Sequence, residues 1–373
     1  MNQSEAKDGT ASSGVFIRGD GRRLAHEFFS QLGDDRLESL VVKTVCDDGC
    51  WFVLRQELLA AWGPDLDTAR IDERLSIQPR QRERDLDLEI VVTMLGSPVV
   101  FSFQSLDEFY FALRVRRNIV REAWQTQLAF SAKEAERPKE CWDYSEETGF
   151  VVKTGHPVIR ALRAATQPRL SGTAYSFSCY RATEYVTLLA LALELERTDR
   201  QLLEQLQRQM ETKAIKSRRF HDVFMREYGS MEKPLPKRFY VPGDRVWFRN
   251  PDPLSSDVGG YEGSWVFYLG SGYFSNFWKP SQPYTLESKC IEIFHWRDGL
   301  YMDAEGAPQL DEVAVDRNVR ITLNDPTMTA RILDRMLRYR DNSGEYLDGG
   351  CIDTTRECLR YIGSGTTNFL EAA

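Results

Sequence analysis

Apolar positions along the chain fall into regular patterns separated by polar punctuation, and each pattern carries a structural expectation. The clearest begins at Ser105-Leu106-Asp107-Glu108, a capping box in which the serine hydroxyl serves a backbone amide and the glutamate reaches back. The residues behind it, FYFALRVRRNIVREAW, put Leu106, Phe109, Leu113 and Ile119 near one face at helical spacing, which predicts a helix. Upstream, LEIVVTML and VVFSF are short apolar runs parted by Gly96-Ser97-Pro98. The charge run QPRQRERD (78–85) before them reads as a solvated linker or a helix start. Downstream, WDYSEETGFVVK reads as a strand pair within a mostly irregular stretch, 134–175. The segment AYSFSCYRATEYVTLLALALELE (174–196) opens on serines and turns apolar on every side from Tyr185 to Leu195. A helix with no polar face belongs at the centre of a domain. Thr198-x-x-Gln201 then reads as a second capping box, opening the polar helix RQLLEQLQRQMET.

Three strand signals follow. VPGDRVWFRNP (241–251) is a turn into a strand on which Val246 and Phe248 alternate, and GSWVFYLGSGYFSNFW (263–278) is an aromatic strand ending in a Gly-containing hairpin. CIEIFHW (290–296) reads as the third, with Ile291, Ile293 and His295 on one side. Strands following a buried helix give the α+β order. At the ends, residues 1–20 are small, polar and without period, which predicts disorder. Between 21 and 75 a short helix (RRLAHEFFSQL) and an apolar strand at Trp51–Leu54 are expected, and beyond 320 one helix (MTARILDRMLRYRD) with a Gly-rich tail. Gly363-Ser364-Gly365 has no strand before it and no helix after it, so it is not a phosphate loop.

Charge narrows the function classes. With 48 Lys+Arg against 56 Asp+Glu the net charge is -8, which argues against sequence-independent binding to nucleic acid or an anionic membrane surface. No apolar run approaches the roughly 20 residues of a membrane span, and the first fifteen residues lack a secretory apolar core. Seven cysteines match no disulfide framework, which fits a reducing compartment, and four histidines leave little for a multi-histidine metal site. Cys46 and Cys50 bracket CDDGC without a second pair to complete a zinc site, so a turn carrying two thiols is expected. No metal or organic cofactor is implied. The chain is expected to be cytoplasmic, or exported by a signal-independent route.

Candidate chemistry centres on Cys179, where the loop YSFS meets the buried helix. Unsatisfied N–H groups and the positive end of the helix dipole favour thiolate there, and the same amides are placed to bind an oxyanion. Papain-like cysteine enzymes mount their nucleophile in this way, packing its helix against an antiparallel sheet and drawing the base from a strand. By analogy with bacterial cell-wall cysteine peptidases, whose strand reads His-Val-Gly-Ile-Tyr-Leu-Gly, the base would stand at 264. That position is Ser264, which has no useful basicity. Glu262 points to the same face of an extended strand, and His295 is the remaining candidate; a solvated carboxylate and a core histidine are their plain alternatives.

Three stretches then resemble one family. SPVVFSFQSLDEFYFALRVRRNIV (97–120), AYSFSCYRATEYV (174–186), and GDRVWFRNPD followed by GSWVFYLGSGYFSN are similar, in order and spacing, to the spore-coat-type bacterial protein-glutamine gamma-glutamyltransferases. Their nucleophile segment usually reads Tyr-x-Phe-Glu-Cys-Ala-Thr-Ala, and their strand Gly-Glu-Asn-x-x-x-Leu-Gly…Tyr-Phe-x-His. The resemblance implies a papain-like core over 95–320, an N-terminal extension (21–94) and a C-terminal extension (321–373). It makes Cys179 the nucleophile. It also places Ser178 where the family has a glutamate, Ser264 where it has its strand carboxylate, and Asn276 near its histidine. The implied activity is acyl transfer through a Cys179 thioester from a protein glutamine amide, with lysine amine as acceptor (isopeptide cross-link) or water (deamidation). Trp247, Trp265 and Tyr273 are expected either to line the amide tunnel or to pack the core. With both glutamates replaced, two other readings stand beside this one: a non-catalytic scaffold on the same fold, and a deamidase or peptidase-like effector.

Overall fold

The computed structural model describes residues 13–30, 32–63, 66–131, 134–340 and 349–363. The capping box at Ser105 forms as a variant: Ser105 Oγ accepts from the Glu108 amide at 3.2 Å, while Glu108 Oε2 accepts from the Gln104 amide at 2.5 Å. The helix it opens runs Leu106–Gln125. The charge run proves to be a helix start, since Glu83–Leu95 is one helix and its apolar run is buried on all sides. The all-round apolar segment forms the helix Cys179–Thr198, buried from Ala182 to Ala192. The capping box expected at Thr198 does not form. Thr198 is still helical and its hydroxyl donates to Glu194 O at 2.8 Å, so Asp199 caps the next helix, Arg200–Thr212, by accepting from the Leu202 amide. The strand pair appears at Trp142–Ser145 and Gly149–Val152, and Asp47 and Asp48 form the hairpin turn between Val41–Cys46 and Gly49–Leu54.

A six-stranded antiparallel sheet organises the site. Its order is Tyr284–Thr285, Tyr273–Phe274, Gly263–Gly270, Arg245–Arg249, Arg356–Leu359, Met225–Tyr228. Trp247 lies opposite Trp265 and Phe248 opposite Ser264 in the central pair. Alternate residues serve different layers, as pleating requires. Phe267 and Leu269 join the core built from the Glu83–Leu95, Leu106–Gln125 and Cys179–Thr198 helices. Val246, Phe248, Val266 and Tyr268 join a second core with Ile291, Ile293, Val315, Ile332 and Met336 on C-terminal helices. The Cys179–Thr198 helix thus packs on an antiparallel sheet, the papain-like α+β arrangement. A buried polar knot fixes the helix layer to the sheet: Arg116 Nη1 donates to Asp244 Oδ1 at 2.7 Å, and Tyr228 Oη and the Val241 amide donate to Asp244 Oδ2.

Two expectations need correction. CIEIFHW is not a strand: Leu286–His295 is a helix followed by a 3₁₀ turn, Trp296–Gly299. Thr285 and Ser288 form a full capping box, with the Ser288 amide on Thr285 Oγ1 at 3.1 Å and the Thr285 amide on Ser288 Oγ at 2.9 Å. Leu286, Lys289, Cys290 and Ile293 give the buried helical stripe; burial of Ile291 and His295 as well produced the misleading alternation. The second lies near the N-terminal end. Of the segment expected to be disordered, 1–12 lies outside the described residues, but Gly14–Arg18 is an interior strand of a four-stranded sheet. It pairs antiparallel with Gly49–Leu54 and parallel with Val100–Phe103. Arg356–Leu359, beyond 320, lies inside the six-stranded sheet. Of the Gly-rich tail, 364–373 lies outside the described residues.

Candidate active site

Cys179 is the first residue of its helix, and Ser178 caps it by accepting from the Arg181 amide at 3.4 Å. The helix start abuts Gly263–Gly270, where the Tyr180 and Trp265 rings meet edge to face at 5.5 Å. Trp265 stacks on Trp247, and the Arg245 guanidinium lies 4.6 Å from the Trp265 ring and 5.0 Å from that of Tyr180. Arg245 is itself held by Glu357 at 2.5 Å. This stack fixes the backbone beside the sulfur, towards which the Trp265 and Tyr180 amides donate.

The sulfur faces a cavity of about 530 Å³ between the sheet and the C-terminal helices. Phe130, Tyr261, Trp278 and Trp296 form an aromatic wall of edge-to-face contacts at 5.2 to 5.7 Å. Trp247, Trp265 and Tyr273, the aromatics expected at the tunnel, are not in this wall. The first two stack behind the nucleophile and Tyr273 packs on Trp124.

Ser264 and Asn276 line the cavity together with Cys179. Asn276 is spent on its own loop, donating to Gln282 O and accepting from the Lys279 amide. Glu262 is exposed outside the wall, where its carboxylate accepts from the Gly260 amide at 3.3 Å. His295 is not brought to the sulfur. It is buried among the C-terminal helices, with Nδ1 on Asp298 at 2.5 Å and Nε2 on Thr322 Oγ1 at 2.7 Å, a satisfied core histidine.

Burial pushes the Cys179 thiol above its ordinary value; the Trp265 amide, Lys289 and the Tyr180 amide work the other way, and the Glu262 charge adds to the rise. The thiolate expected of a helix N-terminus is therefore overridden by desolvation, and the resting group is a thiol. Lys289 and Glu292, which the sequence reading passed over, also line the cavity. The Lys289 side chain is 3% exposed and its Nζ lies 3.2 Å from Glu292 Oε1. The Thr285/Ser288 capping box was the signal for them, because a helix starting there puts 289 and 292 on one face. Among the described residues, no group of three or more His, Cys, Asp or Glu is disposed to hold a metal, and no helix is long and apolar enough to cross a membrane.

Comparison with known proteins agrees with the motif order. The family model "Protein-glutamine gamma-glutamyltransferase" matches residues 68–346. A protein-glutamine gamma-glutamyltransferase of Halalkalibacterium halodurans is 27% identical over 197 residues, covering 50% of this chain and 61% of the relative. One of Bacillus licheniformis is 26% identical over 188 residues, covering 48% and 66%. The chain thus spans somewhat less than two thirds of the length of each. A Geobacillus stearothermophilus transglutaminase without its C-terminal extension superposes with a TM-score of 0.39 at 17% identity, over 57% of this chain and 97% of that one. The family model covers most of the chain, and the chain belongs to the protein-glutamine gamma-glutamyltransferase family.

Proposed function

We propose that the protein is a cysteine acyltransferase acting on glutamine side chains of protein substrates, with Cys179 as nucleophile. The observation that carries this reading is a thiol at a helix start in the wall of a 530 Å³ aromatic cavity, with two backbone amides aimed at it. Sulfur attacks the amide carbon, the Trp265 and Tyr180 amides take the charge that develops on oxygen, and ammonia leaves to give a thioester. A lysine amine entering the cavity then completes an isopeptide bond. Free lysine is protonated at neutral pH, with a reference pKa of about 10.4, so the aromatic lining that excludes water also favours the neutral amine. Ser178 acts as helix cap. Of the bases expected from sequence, Glu262 stays outside the wall and opposes thiolate formation, and His295 is consumed by its own hydrogen bonds. All seven cysteines are free thiols, which supports a cytoplasmic site of action or signal-independent export.

The test incubates the protein with a glutamine-containing donor protein and a labelled primary amine, beside Cys179→Ala. Label should enter with the wild type and fall by at least about 10³-fold in the variant. Label that survives Cys179→Ala sinks the nucleophile assignment. Ammonia release without label favours deamidation, the reading in which water alone reaches the thioester. No reaction at all favours a scaffold, the reading motivated by Ser178 and Ser264 standing where the family has glutamates.

A further inference from the structure

The cavity that Cys179 and Ser264 line also contains a charged pair, Lys289 and Glu292. Lys289 is almost fully buried, yet its ammonium is not solvated or exposed on a helix surface. It is enclosed by Glu292 at 3.2 Å, the Tyr284 ring at 4.0 Å and the Trp296 ring at 5.7 Å. An ammonium in so dry a place needs a reason beyond packing, since removing it from water costs more than one ion pair reliably recovers. The Cys179 thiol lines the same cavity, and the Lys289 charge favours its thiolate.

We propose that Lys289 is the charge partner of Cys179 and Glu292 the proton acceptor of the same site, a relocated pair that takes over from a carboxylate at position 264. The proposal rests on the acyltransferase reading above. The Cys179 proton passes to the Glu292 carboxylate, which leaves a thiolate facing the Lys289 ammonium. The sulfur electron pair forms the S–C bond to the glutamine amide carbon, the C–N bond breaks, and Glu292 returns the proton to the departing nitrogen as ammonia. In the second half the incoming ammonium gives one proton to Glu292, nitrogen displaces sulfur, and the amine's second proton passes to sulfur. Glu292 then releases its proton to solvent, so a glutamine amide and a lysine ammonium give the isopeptide, ammonia and one proton, and the site returns to its starting state.

Other charged groups at this cavity are already engaged. Lys279 pairs with Asp316 at 2.5 Å, and Glu312 accepts from the Tyr261 hydroxyl at 2.8 Å. Arg320 Nε donates to Asp316 O at 3.2 Å, and Glu262 outside the wall carries the charge that opposes thiolate. The Tyr284 hydroxyl donates to Glu292 and so orients it.

The test reads Cys179 directly, without requiring turnover. The rate of iodoacetamide labelling at Cys179, located by peptide mass, is followed against pH in the full chain. Lys289→Met should move the midpoint up by about one pH unit and slow labelling at pH 7 roughly tenfold, whereas Lys289→Arg should keep the wild-type profile. Glu292→Gln should lower amine incorporation at least about 10²-fold, and a preformed thiolate at high pH should still be labelled at the wild-type rate. Thermal melts show whether each variant is folded, and Lys289→Gln serves if the methionine variant is not. An unchanged profile in a folded Lys289→Met or Lys289→Gln overturns the charge partnership. Full amine incorporation by Glu292→Gln overturns its role as proton acceptor. A shifted labelling profile in a protein that never incorporates amine keeps the partnership and overturns the transferase reading instead.

Discussion

Glu89 shows how one buried carboxyl couples the N-terminal layer to the strand that bears the site. It sits on the Glu83–Leu95 helix, beneath the Gly270-Ser271-Gly272 turn that ends Gly263–Gly270. Its Oε1 accepts from the Ser271 amide at 2.7 Å, Oε2 has no partner, and a Cβ at Gly270 would fall 2.6 Å from Oε2. Gly270 also has φ +86°, so both contact and backbone demand glycine there. Burial pushes the Glu89 carboxyl up to about 8, the Ser271 amide opposing and the Asp72 charge adding. Below about pH 4.5 the group is protonated in folded and unfolded chains alike and favours neither. Between there and about pH 8 the unfolded chain gives up a proton that the folded chain keeps. Stability should therefore fall through that window, by roughly 4–5 kcal/mol in all, and level off above it. Glu89→Gln cannot ionise and keeps the acceptor for Ser271. In urea titrations at pH 5 and pH 8 it should lose less stability with rising pH than the wild type and be the more stable protein at pH 8. Equal pH slopes in the two proteins would mean that Glu89 is already ionised in the fold.

At the scale of elements, the Leu286–His295 helix carries the largest difference between sequence and structure, and its cap decides the matter. Thr285→Ala removes one half of the capping box and leaves the Ser288 amide without its acceptor, which should cost about 1 kcal/mol in chemical denaturation. Thr285→Ser should restore most of that loss. Wild-type stability in Thr285→Ala would show that packing alone sets this helix. The element was misread because burial on several sides erases helical period: Ile291, Ile293 and His295 alternate as a strand would, while Lys289 and Glu292 look like a solvated surface pair. The Cys179 helix was legible for the opposite reason. Its serine-rich start gives way to a body that is apolar on every side from Tyr185, which marks a buried helix and leaves the thiol at its polar beginning. The Gly263–Gly270 hairpin and the strand at Arg245 were legible through glycine and aromatic alternation. What sequence could not supply was distance: which carboxylate, lysine or histidine the chain brings to the sulfur. The Thr285/Ser288 cap could have put Lys289 and Glu292 on one helix face, but that they line the same cavity as Cys179 appears only once the C-terminal helices are in place.

For the whole molecule, the active-site sheet is completed from outside the span that the family shares. The matched residues end at 346, yet Arg356–Leu359 lies between Arg245–Arg249 and Met225–Tyr228. The same segment is tied down along its length, with the Arg249 amide on Cys351 O at 2.9 Å, the Leu235 amide on Thr354 O at 2.9 Å and the Cys351 amide on Met336 O at 3.0 Å. Glu357 neutralises Arg245, whose side chain is fully buried behind Trp265 and Tyr180. Removing the segment opens the middle of a sheet and leaves a guanidinium uncompensated next to the nucleophile. Leaving one buried charge without its partner typically costs 3–5 kcal/mol, a large part of the 5–15 kcal/mol that holds most domains together. A chain stopped after residue 348 should therefore express as aggregate or melt without a cooperative transition. Glu357→Ala, which keeps the strand and removes only the carboxylate, should remain folded but lose roughly 3 kcal/mol and slow amine incorporation through a loosened Trp265 amide. Glu357→Gln, which still accepts from Arg245, should lie between the wild type and Glu357→Ala. If the shortened chain instead melts cooperatively at the wild-type midpoint, the family core is self-sufficient and the strand is an accessory. The pairing across Arg245 makes the opposite outcome the expected one, because it places the Arg356–Leu359 strand directly behind the Trp265 and Tyr180 rings that flank Cys179.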